Sequence, residues 1–460
     1  MRSVRIEEEN RRPGTREWWG AKHAPAGAIE GYVQQASCLP GGRIEICVAT
    51  TPAARYEILV HRLGWYGGDG GREQLRLPSN IGLPRLAPEP DPVTGLVRAG
   101  WDVSDVIPIA PDAVSGHWLA QLRLVNGPHA GAVALIPFVV RPAPTDQPAV
   151  LVQVPVNTLQ AYNHWGGKCL YTSNSTANVA AVKVSFDRPV PAWRESNLNA
   201  KAPFHYDLPL ARWMEREGYD VGYQTDVDTH RAPWSLVGPR LVVTSGHDEY
   251  WTREMRDAFE AARDRGTCLA FMGANLGYWQ IRYEDGERTI VAYKSASTDP
   301  EPDPSLKTVQ FRQLDPARDE GTLIGVQYER GLTKPRELFD YTPDATADND
   351  PWTAGADWSD QAPVRHVVGY EWDGLTRDHT PPGLLRFLAY DGDLGDAACI
   401  RWTAPSGARI FAAGSLGLVH ALDDWAQPGS IDARVQTLAR NAFDDMAGPA
   451  GAHRPTLPRG

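Results

Sequence analysis

Short hydrophobic runs separated by Gly, Pro and Asn dominate residues 36–141. GRIEICVAT, RYEILVHRLG, SGHWLAQLRLVNG and AGAVALIPFVVRP are rich in Val, Ile and Leu and alternate in part with polar residues. The pattern indicates β-strands with no convincing helix between them. Several strands at this spacing predict an all-β domain over residues 36–145, a β-sandwich of immunoglobulin or jelly-roll type. Residues 1–35 are then an N-terminal extension, and Arg141–Ala149 is a proline-rich linker.

From residue 150 the pattern changes to continuous apolar runs: VLVQVPV, RLVVTSG and CLAFMGAN. Strands buried on both faces of a parallel sheet have this pattern. Between the last two runs, WTREMRDAFEAARDRG predicts a helix that Thr252 caps, with Met255 and Phe259 on one face and Gly266 at its end. Strand, helix and strand in this order predict an α/β domain over residues 150–450.

Other parts of this second region are less regular. LARWMEREG and residues near 431–446 predict two further helices, the first ending at Gly218. Residues around 300–360 are rich in Pro, Asp and Thr and predict inserted loops. The segment DVDTH at residues 226–230 is interpreted as a solvated loop rather than a cation site.

Composition narrows the class of protein. The 460 residues carry a formal net charge of −11, which argues against nucleic acid as a partner. Sixteen Trp and 38 Pro against 5 Met suit a loop-rich, aromatic-lined protein better than a helical bundle. The five Cys are odd in number and form no CxxC pair, so neither a disulfide framework nor a zinc ribbon is indicated.

The N-terminal residues and the longest apolar runs bear on location. The sequence begins MRSVRIEEENRR, which is charged and has no apolar core of a secretory signal. No apolar run approaches the roughly 18 residues that span a bilayer. The expectation is a cytoplasmic protein with no membrane partner.

Candidate chemistry follows the buried runs, because ligands of open α/β sheets bind beyond the carboxyl ends of the strands. These three segments supply Tyr, His, Glu and Asn side chains to one edge of the predicted sheet, and Lys294 comes a little further along the chain. The residues of interest after the three runs are Tyr162, His164 and Tyr171, then His247, Glu249 and Tyr250, then Asn275 and Tyr278.

Each of these residues alone has an ordinary structural explanation. Tyr and Trp at strand ends are most often packing residues with a polar tip in water. Glu249 ahead of a helix can simply complement the helix dipole, and His247 can cap a turn. The functional interpretation therefore depends on the convergence of three strand ends. HExxH is absent, and AGSLG departs from GxSxG because Ala413 replaces the first Gly.

The motifs at these strand ends resemble those of one family. The matching pieces, in order, are RLGWYGGDGGR, NTLQAYNHWGGKCLY with VSFDRP, SGHDEYWT, FMGANLGYWQIR with Lys294 beyond it, and GYEWDG. They run from about residue 60 to about residue 420. Together they resemble the large (beta) subunit of N,N-dimethylformamidase, in particular its C-terminal catalytic region.

The resemblance implies a fold and a metal site. The family enzyme has a β-sandwich ahead of an α/β domain akin to class I glutamine amidotransferases, and it holds a mononuclear Fe(III) through two tyrosines and one glutamate. On this sequence the glutamate is Glu249 and one tyrosine is Tyr162. The second tyrosine is placed at Tyr171, with Tyr206 as the alternative. The residues that match others lining the family site are His247, Asn275, Lys294 and Glu371.

The implied ligand set is chemically consistent with iron. A tyrosine has a pKa of about 10, so it binds metal as phenolate at neutral pH only beside a strong Lewis acid. Hard oxygen donors suit a hard, highly charged ion. The hypothesis is a hydrolase of a small-molecule amide, with Glu371 or His247 as general base or acid and Asn275 and Lys294 stabilising the oxyanion.

Two other functions remain open at this point. The Trp and Tyr content also fits a carbohydrate- or ligand-binding protein whose α/β domain is catalytically idle. A hydrolase that uses Glu249 and His247 without metal is the third. Dimethylformamide is man-made, so a relative can act on another small amide. The family enzyme works with a separate small subunit that this chain does not contain, and a homo-oligomer and a small-subunit partner are both left open.

Overall fold

A computed structural model describes residues 4–190, 203–332, 338–344, 347, 349–376 and 380–448, which form a mixed α/β protein with several sheets. In these ranges the α-helices are α1 (Val4–Asn10), α2 (Glu17–Gly20), α3 (Val156–Tyr162), α4 (Pro203–Arg216), α5 (Asp226–Arg231), α6 (Arg253–Asp264), α7 (Gly321–Ile324) and α8 (Ala433–Ala447). Short 3-10 helices include Trp165–Gly167, Thr172–Asn174 and Leu416–Ala421.

The β-strands of the described ranges fall before and after residue 150. The first group is β1 (Ile29–Val33), β2 (Ser37–Cys38), β3 (Arg43–Thr50), β4 (Ala54–Leu63), β5 (Gly71–Gly82), β6 (Asp105–Pro108), β7 (Gly116–Leu124) and β8 (Val133–Val140). The second group is β9 (Val150–Val154), β10 (Lys183–Ser185), β11 (Val221–Thr225), β12 (Leu241–Gly246), β13 (Tyr250–Thr252), β14 (Cys268–Gly273), β15 (Trp279–Glu284), β16 (Thr289–Val291), β17 (Gln327–Leu332), β18 (Phe339–Pro343), β19 (Val364–Val368), β20 (Glu371–Gly374), β21 (Leu385–Tyr390), β22 (Ala397–Thr403) and β23 (Arg409–Ala412).

Two sheets are built from the first group of strands. One has the order β2-β8-β7-β4-β5 and the other the order β1-β3-β6. Ile46 of β3, Val60 of β4 and Ala120 of β7 belong to the same hydrophobic cluster, so the two sheets bury their apolar faces in one core. The strands predicted from the four hydrophobic runs are confirmed. The first strand begins at Ile29, ahead of residue 36, because it pairs with β3 along its whole length.

A nine-stranded sheet organises the second part of the chain. Its order is β11-β9-β12-β14-β23-β22-β21-β18-β19. The first five strands run parallel, and the rest continue antiparallel. The predicted buried strands β9, β12 and β14 are therefore neighbours, and their carboxyl ends lie at one edge. All five residues of β9 and all six of β12 and β14 are buried, as their continuous apolar runs predict.

Helix α6 lies between β12 and β14 in the chain. The cap, the apolar face and the end that the sequence predicts for it are confirmed. The Thr252 hydroxyl accepts a hydrogen bond from the Met255 amide at 3.3 Å. Met255 and Phe259 are fully buried against the sheet. Gly266 takes a φ of +93° just after the helix, where a left-handed conformation suits glycine. The predicted helices around LARWMEREG and residues 431–446 are also present, as α4 and α8.

The interpretation of residues 226–230 as a solvated loop was wrong. They lie in helix α5, and Asp226 and Asp228 are buried. Their carboxylates stay inside because backbone amides bond them: Asp226 accepts from Asn157, and Asp228 accepts from Thr225. Residues 300–360, expected to be loops, contain short 3-10 turns, α7 and strands β17 and β18 among their described residues.

A buried ion pair joins the N-terminal sheets to helix α4. Arg62 of β4 and Glu215 of α4 meet at 2.6 Å, and both side chains have no solvent exposure. Within the described ranges, no helix has the length and apolarity needed to cross a membrane.

Candidate active site

The carboxyl ends of β9, β12 and β14 carry the residues that converge. Helix α3 follows β9 and ends at Tyr162. The loop after β12 holds His247 and Glu249, and Asn275 follows β14. Because the three strands are parallel neighbours, these side chains reach one region, as the sequence predicts.

Gly246 permits the turn that leads from β12 into the site. Its φ is +58°, in the left-handed region that side chains disfavour. A Cβ atom there would lie 2.7 Å from the Asp207 carboxylate. The chain can therefore turn so closely past helix α4 only with glycine ahead of His247.

Three oxygen-bearing side chains form a closed triangle. The hydroxyl oxygens of Tyr162 and Tyr171 lie 2.6 Å apart. Tyr162 donates to Glu249 Oε2 at 2.8 Å, and Tyr171 donates to Glu249 Oε1 at 2.8 Å. The two phenol rings stack, with centroids 4.2 Å apart and planes 15° from parallel. One carboxylate thus receives both tyrosines.

Burial governs the protonation of these tyrosines in the protein alone. Burial raises the pKa of both phenols well above the usual value, and the nearby Glu249 carboxylate raises it further. Without a cation the two phenols stay protonated and donate to the carboxylate. A bound Lewis acid would reverse this by stabilising phenolates.

The donor set fits a hard metal ion. Two phenol oxygens and a carboxylate converge within hydrogen-bonding distance of one another, which is the oxygen chemistry that Fe(III) prefers. Among the described residues, no group of three or more His, Cys, Asp and Glu is arranged to hold a metal. Tyr162, Tyr171 and Glu249 are the residues that could hold one here.

Neighbouring groups hold the Glu249 side chain and backbone in place. The Trp279 indole N–H donates to Glu249 Oε1 at 3.1 Å. The Glu249 amide donates to the Thr158 hydroxyl of α3 at 3.0 Å. The alternative that Glu249 serves the dipole of the following helix does not account for these contacts, because the carboxylate faces the two tyrosines.

A second group lies on the other side of Glu249. His247 Nε2 is 3.4 Å from Glu249 Oε2 and 3.2 Å from Glu371 Oε2. The Asn275 side-chain amide donates to Glu371 Oε2 at 2.8 Å. The Asn275 backbone amide donates to Asp373 at 2.9 Å, and Asn275 has a φ of +53°. The structure brings His247, Asn275 and Glu371 together.

Lys294 approaches from the tyrosine side. Its ammonium donates to the Tyr250 hydroxyl at 2.7 Å and to the Leu170 carbonyl at 3.2 Å. It also lies 3.7 Å from the centroid of the Tyr171 ring, close enough for a cation–π contact. Lys294 is therefore next to the site, but its contacts are with Tyr250 and Tyr171 rather than with Asn275.

The two alternatives for the second tyrosine occupy different places. The Tyr171 hydroxyl bonds Glu249 directly. Tyr206, on α4, packs its ring against His205 and His420 at 4.6 and 5.4 Å between centroids. The geometry thus favours Tyr171 as the partner of Tyr162.

Tyr250 and Trp279 also contact the triangle, although the sequence placed them only at strand ends and gave them no role. The Tyr250 hydroxyl donates to Tyr171 at 2.5 Å, which links Lys294 to the triangle. Tyr250 immediately follows Glu249, so its position after a strand end was the available signal. That Trp279 donates to Glu249 was not visible, because 30 residues separate them.

Comparison with known proteins identifies a family. The family model described as N,N-dimethylformamidase beta subunit-like, C-terminal, matches residues 57–432, most of the chain. This range includes every residue of the candidate site. No match was found among curated proteins.

Proposed function

The chain belongs to the N,N-dimethylformamidase beta subunit-like family, and from this premise we propose that it is a hydrolase that cleaves the C–N bond of a small amide. The family name supports hydrolysis of an amide. The observation that carries the proposal is the closed triangle of Tyr162, Tyr171 and Glu249 oxygens.

The proposed cofactor is one Fe(III) ion held by Tyr162, Tyr171 and Glu249. When bound, such an ion supplies Lewis-acid chemistry, which polarises a carbonyl and lowers the pKa of water. The support is the chemistry of the donor set: three hard oxygens from one helix end, one loop and one strand end.

Proton transfer is assigned to Glu371 and His247. Their side chains are 3.2 Å apart and both are buried, so a proton can pass between them without reaching bulk solvent. The oxygen of the attacking water bonds the carbonyl carbon, and Glu371 takes a proton from that water. His247 delivers a proton to the amide nitrogen as the C–N bond breaks, giving a carboxylic acid and an amine.

Asn275 and Lys294 are proposed to stabilise negative charge. The Asn275 side-chain amide donates to Glu371 Oε2, and from this position it would donate to the carbonyl oxygen of the substrate as that oxygen develops charge. Lys294 acts from the opposite side, through Tyr250 and the Tyr171 ring. The positive charge of Lys294 favours negative charge on the Tyr250 and Tyr171 oxygens.

The finer architecture is part of the same proposal. We infer a β-sandwich over residues 36–145, joined by strand β1 from the preceding extension over residues 1–35, and an α/β domain of the glutamine amidotransferase type over residues 150–450. The shared core of the two N-terminal sheets and the parallel strands of the nine-stranded sheet support this division. The term "beta subunit" in the family description implies an enzyme with more than one kind of subunit, which supports a small-subunit partner. A homo-oligomer is the other assembly to test.

Metal analysis and an amide screen test the function. Protein produced with iron available should contain close to one iron per chain and show a visible tyrosinate-to-iron absorption band. It should hydrolyse members of a panel of small amides that includes N,N-dimethylformamide. Iron content near zero with no visible band would contradict the metal site, and activity that survives chelation would indicate the metal-free hydrolase.

A matched pair of variants separates the hydrolase from a ligand-binding protein. Glu249→Ala should abolish iron binding and turnover, because it removes the carboxylate that both tyrosines contact. Glu284→Ala is the control, because Glu284 is a half-exposed carboxylate that pairs with Lys183 outside the site. If Glu249→Ala kept its ligand affinity, and neither the wild type nor this variant hydrolysed an amide, the protein would instead be a ligand-binding protein with a catalytically idle α/β domain.

A further inference from the structure

A cavity lies between the N-terminal sheets and helices α3 and α4. Its volume is about 60 Å³, room for several water molecules or for a carboxylate of one or two carbons. Tyr32 of β1 and Phe138 of β8 line it from one side, and Leu159 of α3 and Tyr206 of α4 line it from the other. Residues from both halves of the chain therefore enclose one space.

The Arg188 guanidinium lies in the wall of this cavity and has no carboxylate partner among the described residues. Its side chain is fully buried. It donates to the backbone carbonyls of Ser185, Lys168 and Gln160 at 2.8–2.9 Å. These carbonyls are uncharged, so they orient the guanidinium without neutralising its positive charge.

Arg62 shows what a carboxylate partner changes. It is also fully buried, and although burial disfavours its charge, the Glu215 carboxylate keeps the pKa of Arg62 well above its usual value. Burial dominates for Arg188 and lowers the pKa of that guanidinium to about 10. Arg188 is therefore still charged at neutral pH, as a buried cation. An anion placed close to such a cation is attracted strongly, because little water screens the two charges.

Arg288 brings a second guanidinium to the same wall. Its Nε and Nη2 atoms donate to the Asp187 carboxylate, and Nη2 also donates to the Val33 carbonyl. No hydrogen bond from Arg288 Nη1 joins it to another part of the described chain. The side chain is 21% exposed, so a ligand can reach it. Guanidinium N–H groups form strong hydrogen bonds with carboxylates.

The other titratable groups of the wall do not cancel these charges. Asp207 supplies the single carboxyl group among the described lining residues, and it accepts a hydrogen bond from the Ser245 hydroxyl. Burial raises the pKa of Asp207 to about 7, so this carboxyl is partly protonated near neutral pH. His117 is uncharged, because burial lowers its pKa to about 4. The wall is therefore positive.

The cavity has neighbours on two sides. His247 belongs to its lining, and His247 Nε2 lies 3.4 Å from Glu249 and 3.2 Å from Glu371 in the candidate active site. A smaller cavity shares Arg288 with the first and is also lined by Arg231, whose side chain is half-exposed. An anion thus has a route from the surface past Arg288 to the edge of the candidate active site.

We propose that this cavity binds a small carboxylate anion, which is either the carboxylate released by amide hydrolysis or a carboxylate carried by the substrate. The observations that carry the proposal are the buried Arg188 charge without a carboxylate partner, the reachable Arg288 and the size of the cavity. The binding site stands on the charge of the wall, and its link to the reaction rests on the function proposed above.

Acetate and acetamide test the charge of the wall, because they have nearly the same shape and differ in charge. At constant ionic strength, sodium acetate should raise the Tm of the wild type in a concentration-dependent way. Equal concentrations of acetamide or sodium chloride should leave the Tm unchanged. No rise with acetate, or an equal rise with acetamide, would overturn the proposal.

A pair of arginine variants locates the bound acetate. Arg288→Gln should raise the Kd for acetate by about tenfold or more, because it removes a charged donor from the wall. Arg123→Gln is the control and should keep this Kd within about twofold, because Arg123 pairs with Glu57 and is not among the described lining residues. An equal Kd in Arg288→Gln and the wild type would place acetate elsewhere and contradict the site.

Two substitutions of Arg188 separate its charge from its hydrogen bonds. Arg188→Lys keeps the positive charge and loses the guanidinium geometry, whereas Arg188→Met loses both. Acetate should bind Arg188→Lys at least about tenfold more tightly than Arg188→Met. Equal affinities would show that the charge has no role. If Arg188→Met does not fold, the comparison of Arg288→Gln with Arg123→Gln decides the question.

Two further measurements distinguish the sources of the carboxylate. If the substrate carries it, kcat/KM for N-formylglycine should exceed that for the uncharged N-formylglycinamide by about tenfold or more, and Arg288→Gln should remove the difference. If it is the product, the two values should be similar. Acetate should then inhibit hydrolysis of N-formylglycinamide by the wild type much more strongly than by Arg288→Gln.

The outcomes also separate the binding site from the proposed function. A wild type that binds acetate as expected but hydrolyses no amide would contradict the proposed function and leave the carboxylate site in place. Amide hydrolysis with neither a preference for N-formylglycine nor inhibition by acetate would contradict the link between the cavity and the reaction.

Discussion

The hydroxyl oxygens of Tyr162 and Tyr171 lie 2.6 Å apart and bond opposite oxygens of the same Glu249 carboxylate. Arg188 helps to hold this pairing, because its guanidinium donates to the carbonyl of Gln160 in α3 and to that of Lys168 in the following loop. Both tyrosines are thus tied to one buried side chain. The two donors are in place before any ion binds, which reduces the reorganisation that binding requires.

Removal of either hydroxyl should weaken iron binding. Tyr162→Phe and Tyr171→Phe each keep the stacked ring and delete one proposed ligand, so we expect iron affinity to fall by at least about tenfold and the visible band to shift or disappear. Iron titration followed by absorption spectroscopy measures both. Tyr390→Phe, on strand β21, is the control and should bind iron as the wild type does, because its ring packs on Phe339 and Trp372. An unchanged spectrum in both site variants would show that these tyrosines are not ligands.

Loss of the Lys294 charge should make iron retention more sensitive to acid. Lys294 donates to Tyr250 and lies over the Tyr171 ring, so its removal disfavours phenolate and favours phenol. The tyrosines of Lys294→Met would then be protonated at a higher pH, and iron would be released at a higher pH than from the wild type. The pH at half-loss of the visible band is the measurement. Lys183→Met, whose lysine pairs with Glu284, should release iron as the wild type does.

The buried Asp207 carboxyl should make stability fall as pH rises. Burial raises the pKa of Asp207 from 3.8 to about 7, with the Ser245 hydrogen bond opposing the shift. A raised pKa contributes stability below the unfolded pKa, and this contribution is lost as pH rises through about 7. Relative to Asp207→Asn, the wild type should therefore lose stability between about pH 4 and 7, by at most about 4 kcal/mol.

Denaturant unfolding at several pH values measures this difference. Glu254→Gln is the control, because the His230 hydrogen bond lowers the pKa of Glu254 to about 2 and its pH dependence falls below pH 5. The expected result is a converging or crossing pair of stability curves for wild type and Asp207→Asn between pH 4 and 7. Parallel curves over that interval would contradict the raised pKa.

The Arg62–Glu215 pair should show strong coupling. Both side chains are fully buried, so removal of one partner leaves an uncompensated charge inside the protein. Arg62→Met and Glu215→Leu should each lower the free energy of unfolding by about 3–5 kcal/mol, and the double variant should lose much less than the sum. Urea unfolding of the four proteins completes the cycle. Additive losses would show that the pair contributes no interaction of its own.

Much of the local structure was determined by sequence alone. Continuous apolar runs predicted β9, β12 and β14, because a strand covered on both faces has no polar side to display. Thr252 and Gly266 marked the limits of α6 through capping and a left-handed turn. The segment at residues 226–230 was misjudged, since its two aspartates are polar in composition but are bonded by backbone amides that only the fold supplies.

The site divides in the same way. The sequence by itself determined which strand ends carry Tyr162, His247, Glu249 and Asn275, because parallel strands that follow one another must bring their carboxyl ends to one edge. Only the tertiary structure decided that Tyr171 rather than Tyr206 bonds Glu249, and that Lys294 faces Tyr250. The residues in these two contacts are 44 and 78 positions apart in the chain, and loops separate them. The path of a loop depends on its packing against the rest of the protein and not on local periodicity.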